Sequence, residues 1–380
     1  MYNYYKILIM NTLRKMQVLS DSAQYDICDY VNHYKKSDIN LPGIYNATGP
    51  DGCKIPLFKT LMTNKCVNDC KYCINQSKRN FTRIELDPNE LARAFLNYYD
   101  NDYVQGLFLS SGIAKNIDQT MENMLEVVNI LRKDYGYDDY IHFKVIPGAS
   151  KDSIKRAMFL ANRVSLSIES ATSDGLSDIS STKDYNKDIL KRISWINSIS
   201  KKKNSMMCSS STTQMIVGAN DETDLEVLSR IKSLYKNYDL SRSYFSAFSP
   251  VEGTELEKKE ECNKERTSKL YHADALLNTY KFDLNELVFE QNNQLSLNED
   301  PKYLSALNRD IFPLEINSAS FYELIRVPGI GTISAKRIMS IRKKKPFIKL
   351  EELKKLGVVI DRAEPFIKLS GNYQIALDNY

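Results

Sequence analysis

Three cysteines, Cys66, Cys70 and Cys73, stand at C-x3-C-x2-C spacing in the run Thr63-Asn-Lys-Cys-Val-Asn-Asp-Cys-Lys-Tyr-Cys. Cysteine thiolates are the usual ligands of iron–sulfur clusters. This spacing holds three irons of a 4Fe-4S cluster on one loop and leaves the fourth iron without a protein ligand. An open iron can bind a substrate or cofactor, whereas an electron carrier takes a fourth cysteine. Two plainer readings stand beside this one: a structural zinc site, or three core thiols. Zinc wants a fourth Cys or His at short spacing, and the next cysteine is only Cys208.

Other residues along the chain carry polar chemistry where a core is expected. Val164-Ser-Leu-Ser-Ile-Glu-Ser170 alternates apolar and polar without a break. A parallel strand covered by helices on both faces reads instead as a continuous apolar run. Val164, Leu166 and Ile168 can therefore face helices while Ser165, Ser167 and Glu169 face a polar interior. The preceding strand places His142 and Lys144 on one side, either in that interior or at a solvated strand end. Leu107-Phe-Leu-Ser110-Ser111-Gly112 ends another strand in a small turn whose glycine permits close backbone approach. Near the C-terminus, Pro328-Gly-Ile-Gly331 forces a tight turn between two helical patterns.

The elements that must position these residues alternate. Strands are expected near 57–63, 106–110, 140–146, 163–169, 212–218 and 243–248, and helices over 88–99, 118–133, 151–160, 186–199 and 221–236. Alternation at this spacing indicates right-handed crossovers and a parallel sheet. Six repeats predict an α/β fold, a partial TIM-type (β/α)6 barrel, with an open doubly wound sheet as the alternative. A small all-α domain follows it. The expected organisation is an N-terminal helical segment over 1–50, the barrel over 51–255, a helical extension over 256–313 and the terminal domain over 314–380.

Bulk properties narrow the classes. The chain has 380 residues, 42% hydrophobic and 26% charged, which is ordinary for a globular protein. Residues 321–380 carry 12 Lys and Arg against 6 Asp and Glu, while the rest of the chain carries 40 against 42. The basic excess thus lies in the last sixth, where an anionic partner would bind. Seven cysteines, three at metal spacing, argue for a reducing cytoplasm rather than a disulfide framework. Lys6-Ile-Leu-Ile-Met10 is too brief for a signal peptide, and no apolar stretch reaches membrane-spanning length.

The cysteine loop resembles the signature of the radical S-adenosylmethionine enzymes, in which the open iron chelates the amine and carboxylate of the cofactor. That resemblance implies a 4Fe-4S cluster on Cys66, Cys70 and Cys73, with S-adenosyl-L-methionine as cofactor. It implies Tyr72 near the adenine, and Ser110, Ser111 and Gly112 receiving the methionine amine. It also implies Ser167 and Glu169 at the ribose hydroxyls or methionine polar groups, although a salt-bridged barrel glutamate would read the same. Gln214-Met-Ile-Val-Gly218-Ala-Asn-Asp221 is similar to the G-x-I-x-G-x-x-E adenine-supporting motif, with Gln214 replacing a glycine and Asp221 the glutamate. Tyr244, Ser246 and Phe248 on the last strand would meet the adenine edge. The chemistry implied is reductive cleavage to a 5′-deoxyadenosyl radical, fed by a flavodoxin or ferredoxin. No acid, base or hydrogen-atom donor is assigned; Cys208 is one candidate thiol.

The terminal run Ser320-Phe-Tyr-Glu323-Leu-Ile-Arg-Val-Pro-Gly-Ile-Gly-Thr-Ile-Ser-Ala-Lys336-Arg337 opens with a capping box and resembles the helix-hairpin-helix motif of DNA repair and recombination proteins. The resemblance implies phosphate contact by the backbone at Gly329, Ile330, Gly331 and Thr332, aided by Lys336 and Arg337. A second half-motif, Leu350–Val359, lacks its last glycine, which predicts that it packs on the first and touches no phosphate. A basic protein–protein module is the alternative. Together with Ser20-Asp-Ser-Ala-Gln-Tyr25-Asp and Phe312-Pro313, these motifs resemble a group of DNA modification or repair radical S-adenosylmethionine proteins, often encoded beside a uracil-DNA-glycosylase-like partner. Nucleic acid, with DNA first, is then the expected target. Radical modification of RNA or protein, and a DNA-binding iron–sulfur sensor, remain the alternatives.

Overall fold

The computed structural model describes residues 2–23, 41–48, 53–202 and 206–369. The segment around Tyr25, and Cys28, lie outside the described residues. Two units emerge from the packing: residues 1–222 with 233–267, and residues 223–232 with 268–380.

In the first unit, helix α1 (Tyr2–Ala23) precedes β1 (Ile44–Thr48), which pairs antiparallel with β2 (Lys54–Leu61). Then follow α2 (Pro88–Asp100), β3 (Gly106–Ser110), α3 (Ile117–Asn129), β4 (Tyr140–Lys144), α4 (Lys151–Leu160) and β5 (Arg163–Ser165). The unit closes with α5 (Ser173–Ile179), α6 (Lys191–Ser200), β6 (Ser210–Val217), α7 (Asp224–Tyr238, shared with the second unit) and β7 (Arg242–Ala247). Among the described residues these strands form one sheet in the order β1 to β7, parallel from β2 onward. The sheet is the curled half-barrel that the six β/α repeats predict. The added β1 had no clear sequence signal: five residues, none fully buried.

Local chemistry starts the helices where they start. Asp87 accepts the Glu90 N–H at 3.0 Å with Pro88 in the first turn, and Asn116, Ser150 and Thr172 cap α3, α4 and α5 in the same way. The helices bury one face against the sheet. Leu91, Phe95 and Tyr98 of α2 are fully or almost fully buried, and Phe95 and Tyr98 lie against Phe58 of β2 with ring centroids 6.0 and 5.1 Å away. Expected helix 118–133 becomes α3 plus a π turn over Ile130–Asp134, and 186–199 begins as a π turn over Tyr185–Leu190.

The alternation in β5 is fully expressed: Val164, Leu166 and Ile168 are at most 1% exposed on the helix side. The ladder itself ends at Ser165, short of Glu169. Thr213 intervenes, its hydroxyl donating to the Leu166 carbonyl at 2.7 Å and accepting the Ile168 N–H at 3.1 Å. Ile168 and Glu169 then both donate to the Gln214 carbonyl, with Glu169 at φ +68°. A non-glycine residue there is uncommon and costs energy; it turns the Glu169 side chain into the sheet interior.

In the second unit, α8 (Lys264–Asn278, its first turn counted with the first unit) and α9 (Pro301–Leu307) precede the short helix α10 (Phe321–Leu324), α11 (Thr332–Arg342), α12 (Leu350–Lys354) and α13 (Ile360–Ala363). The tail is not purely helical: β8 (Leu314–Glu315) pairs in parallel with β9 (Ile367–Lys368) and ties its two ends. Leu324, Val327, Ile330, Ala335, Ile338 and Leu353 form the centre of its core. Residues 268–313 pack with this tail, and Glu286 holds Arg326 at 2.8 Å and also Arg309.

Candidate functional site

The cysteine loop runs from Met62 to Asp87, between β2 and α2, at the C-terminal edge of the sheet where parallel barrels carry their sites. So long a loop needs fastening, and Arg83 supplies it: its guanidinium donates to the carbonyls of Asn64 at 2.6 Å, Asn75 at 2.7 Å and Arg79 at 2.9 Å. Asn64 accepts the Ile84 N–H at 2.7 Å, closing the loop's neck. Between the first two cysteines, Asp69 accepts from Ser180 Oγ at 2.9 Å, Thr182 Oγ1 at 2.9 Å, the N–H groups of Ser181 and Thr182, and Ser181 Oγ. Burial would raise the Asp69 carboxyl, but these hydrogen bonds outweigh it and hold the group far below the usual carboxylate range.

All three cysteines open onto one cavity, together with Tyr72, Ser110, Ser111, Gly112, Ser167, Glu169 and Gln214. Among the described residues, no three Cys, His, Asp or Glu side chains converge on a single ion position. Three thiols lining one cavity are the donor type an iron–sulfur cluster takes. Burial pushes the Cys73 thiol up to about 12 and raises Cys70 as well, so a metal must displace protons to bind them. Asn75 N–H points at Cys73 Sγ, 3.4 Å away.

Facing the cysteines is a buried polar chain. Tyr72 OH donates to Glu169, whose other oxygen receives Lys183 Nζ at 3.1 Å. Burial lowers the Lys183 ammonium, yet Cys70 and Glu169 beside it more than reverse that. Burial raises Glu169, and Lys183 and Lys144 bring it below the carboxylate norm. Glu169 is thus both a cavity residue and a salt-bridged glutamate. Asp69, Arg83 and Lys183 carry no sequence signal: Asp69 and Lys183 meet the site through partners far along the chain.

Gly112 is explained first by packing. Its N–H donates to the Thr63 carbonyl at 2.8 Å, and a Cβ there would stand 2.4 Å from the Lys65 carbonyl oxygen. Four other expected residues fall outside the cavity wall. Gly218, at φ +87°, makes room for Cys262, whose Cβ would lie 2.7 Å from an added side chain. Phe248 is a core residue at 2% exposure. Ser246 acts at one remove, accepting Gln214 Nε2 at 2.7 Å. Tyr244 lines a second cavity, deeper in the sheet. The acidic end of the strand motif is also displaced. Asp221 is fully exposed and pairs with Lys259, while Glu222 is buried and accepts the Ala171 and Thr172 N–H groups.

In the tail, the capping box of Ser320 and Glu323 is present, and the hairpin turns at Gly329, φ +80°. Gly331 caps α11 with no side chain to accept the first-turn N–H groups. A helix N-terminus of that kind binds anions. Lys336 and Arg337 are exposed on the same helix, Arg337 reaching the Leu356 carbonyl at 3.2 Å. Ile330 is 1% exposed and its N–H is taken by Val327, so neither its side chain nor its amide is offered to a phosphate. Its carbonyl accepts Lys302 Nζ at 2.7 Å. The second half-motif packs onto the first, as its missing glycine predicts: Val359 N–H donates to Gly329.

Comparison with known proteins matches residues 60–234 to the Radical SAM superfamily and residues 313–360 to the helix-hairpin-helix motif. No curated protein matches the chain. Among solved structures, the FeFe-hydrogenase maturase HydG from Carboxydothermus hydrogenoformans is similar with a TM-score of 0.45 at 16% identity, over 57% of this chain and 50% of that one. Methylornithine synthase, PylB, gives 0.45 at 14% identity over 56% and 59%. The radical S-adenosylmethionine methyltransferase TsrM from Kitasatospora setae gives 0.39 at 10% identity over 52% and 37%. The chain thus spans about half the length of the structures it matches. Members of the matched superfamily use a 4Fe-4S cluster and S-adenosylmethionine. No helix among the described residues is long and apolar enough to cross a membrane.

Proposed function

We propose that this chain, an enzyme carrying a radical S-adenosylmethionine domain over residues 60–234 and a helix-hairpin-helix motif over residues 313–360, modifies nucleic acid, with DNA the first candidate. The observation that carries the reading is the uncapped N-terminus of α11 at Gly331, with Lys336 and Arg337 on the same helix, in a chain whose cysteines line a polar cavity. Backbone and cationic contacts of that kind hold phosphates without reading sequence.

Cys66, Cys70 and Cys73 would hold the cluster, and Ser110, Ser111, Ser167, Gln214 and the Tyr72–Glu169–Lys183 chain would offer polar groups to the sulfonium cofactor. When bound, the pair supplies a 5′-deoxyadenosyl radical, with an external reductant of flavodoxin or ferredoxin type giving the electron. The residues around it orient and shield. Asp69 and Arg83 keep the loop in one shape. The reading places the protein in a reducing cytoplasm, and a uracil-DNA-glycosylase-like protein is a partner to test.

The experiment is anaerobic reconstitution followed by dithionite, S-adenosylmethionine and an oligonucleotide deuterated on its sugars and bases. Deuterium appearing in 5′-deoxyadenosine supports the reading. Release of 5′-deoxyadenosine with no label from DNA or RNA moves the substrate to a protein or small molecule, and an intact cluster without release favours a sensor.

A further inference from the structure

The hairpin of the tail is held from behind by a buried amine. Lys302 of α9 donates from Nζ to the Ile330 carbonyl at 2.7 Å, in the middle of the Pro328–Gly331 turn. The same nitrogen lies over the Tyr280 ring, 4.5 Å from its centroid, an arrangement that favours the charged amine over the neutral one. Tyr280 also reaches the turn: its hydroxyl is the nearest atom to a Cβ built on Gly331, at 3.7 Å. Asp300 fixes the start of α9 by accepting the Lys302 and Tyr303 N–H groups, and its other oxygen meets Arg362 at 3.0 Å.

The direction of one peptide follows from this. The Ile330–Gly331 bond is trans and planar, so its C=O and N–H point opposite ways. With the carbonyl drawn toward Lys302, the Gly331 N–H faces away from that buried side. Among the described residues nothing accepts it; the Ile330 N–H goes to Val327, and the Ala335 N–H goes to the Gly331 carbonyl. A charge-assisted bond to the carbonyl also polarises the peptide and makes its N–H a stronger donor. The ammonium therefore acts on the head of α11 both by direction and by charge.

We propose that Lys302 is a positioning residue of the hairpin, whose ammonium turns and polarises the Ile330–Gly331 peptide so that the Gly331 N–H meets a backbone phosphate, and whose protonation sets the affinity for nucleic acid. The proposal deepens the nucleic-acid reading above and rests on it for the phosphate. Burial brings the Lys302 ammonium down to about 7, Asp300 opposing and Arg362 and Arg326 adding to the shift. The groups around it are Asp300 at the start of α9, Tyr280 after α8, His272 of α8 acting on Asp300, Arg326 after α10 and Arg362 of α13. Burial would raise the Asp300 carboxyl, but Arg362 and the helix-start N–H groups keep it below its ordinary value, and burial raises the Tyr280 phenol. Both hold their charge state around neutrality while Lys302 changes its own. A phosphate that favours the ammonium raises its hold on the proton, so affinity must fall as pH rises through that range.

The test uses the full chain, reconstituted anaerobically and isotopically labelled at glycine nitrogen. Two profiles are read from pH 6 to 9: the Gly331 amide resonance, assigned with Gly331→Ala, and the affinity for a fluorescent duplex at fixed salt. The Gly331 resonance should move with pH in the parent and stay still in Lys302→Gln and Lys302→Arg, each of which keeps one charge state. Parent affinity should fall by about threefold or more beyond any fall in Lys302→Gln, with Lys302→Arg tight and Lys302→Gln weak throughout. His272→Gln should leave the parent profile unchanged. A parent and a Lys302→Gln protein with the same pH dependence overturn the proposal, as does a dependence that His272→Gln alone removes. Either result leaves the nucleic-acid reading standing, whereas a parent without duplex affinity at any pH ends that reading and this one together. Where a variant's melting falls, the parent decides: its amide and affinity profiles must share one midpoint, and separate midpoints overturn the proposal.

Discussion

Val359 donates its N–H to the Gly329 carbonyl at 3.0 Å, and a Cβ on Gly329 would stand 2.3 Å from the Val359 oxygen. The second hairpin therefore closes on the first at a glycine whose φ of +80° already excludes most side chains. Gly331 differs, with φ −89°, and a Cβ there would meet nothing closer than the Tyr280 hydroxyl at 3.7 Å.

Substitutions at the two glycines should separate folding from binding. Gly329→Ala should destabilise the tail by about 1–3 kcal/mol through strain and overpacking. Gly331→Asp should melt at or above the parent temperature, because Asp is a favoured N-cap and its charge suits a helix N-terminus. The same carboxylate should weaken duplex affinity by about tenfold or more at low salt, by repelling the phosphate. Thermal melts with fluorescence anisotropy read both, and a Gly331→Asp protein that binds like the parent ends the phosphate role of this hairpin.

Asp69 fastens the cysteine loop to residues 180–182 from over a hundred positions away. Asp69→Asn replaces a charged acceptor of several hydrogen bonds by a neutral amide, at a cost of about 2–3 kcal/mol. The expected phenotype is a folded sheet with reduced iron and sulfide after reconstitution. Iron content equal to the parent's would show that the loop keeps its shape without this carboxylate.

Lys183 and Glu169 are each 8% exposed at the side chain and 3.1 Å apart. Lys183→Met should cost about 3–5 kcal/mol by stripping a buried carboxylate of its salt-bridge partner, and Lys183→Met with Glu169→Leu should recover most of that. Denaturant melts of the four proteins give the coupling, and a single-mutant cost below about 1 kcal/mol would mean that the pair carries no such weight.

Burial lowers the Lys302 ammonium to about 7, with Asp300 opposing and Arg362 and Arg326 adding to the shift. The unfolded chain keeps that proton up to about 10.5. Between the two values the unfolded state binds more protons, so this residue makes stability rise with pH from 7 toward 10 and adds no slope below 7. Chemical denaturation at pH 7, 8.5 and 10 should show a parent-minus-variant difference that grows with pH for Lys302→Met. A difference constant over that range would place the Lys302 pKa near its ordinary value.

Much of the frame was legible in the order of residues. The cysteine spacing, the Ser320–Glu323 capping box and the strict alternation through Val164–Glu169 are all local. Backbone periods of 2 and 3.6 residues, together with the orphan N–H groups of a helix start, decide them within a few positions. The sequence by itself therefore determined the β/α half-barrel, the placement of the cysteine loop after its first parallel strand, and the hairpin with its packed second half.

Tertiary structure decided which polar groups meet. Glu222, not its neighbour Asp221, is the buried carboxylate after β6, because only the turn's geometry selects between adjacent acids. Gly218 serves Cys262, and Lys183 reaches Cys70 and Glu169. Lys59, Arg163 and Arg242 line the second cavity only once the six strands β2 to β7 are in register, since they are remote in sequence and share a wall through ladder pairing alone. Contacts across such separations depend on sheet closure, whose energy is spread over the whole core, and no short window of residues encodes them.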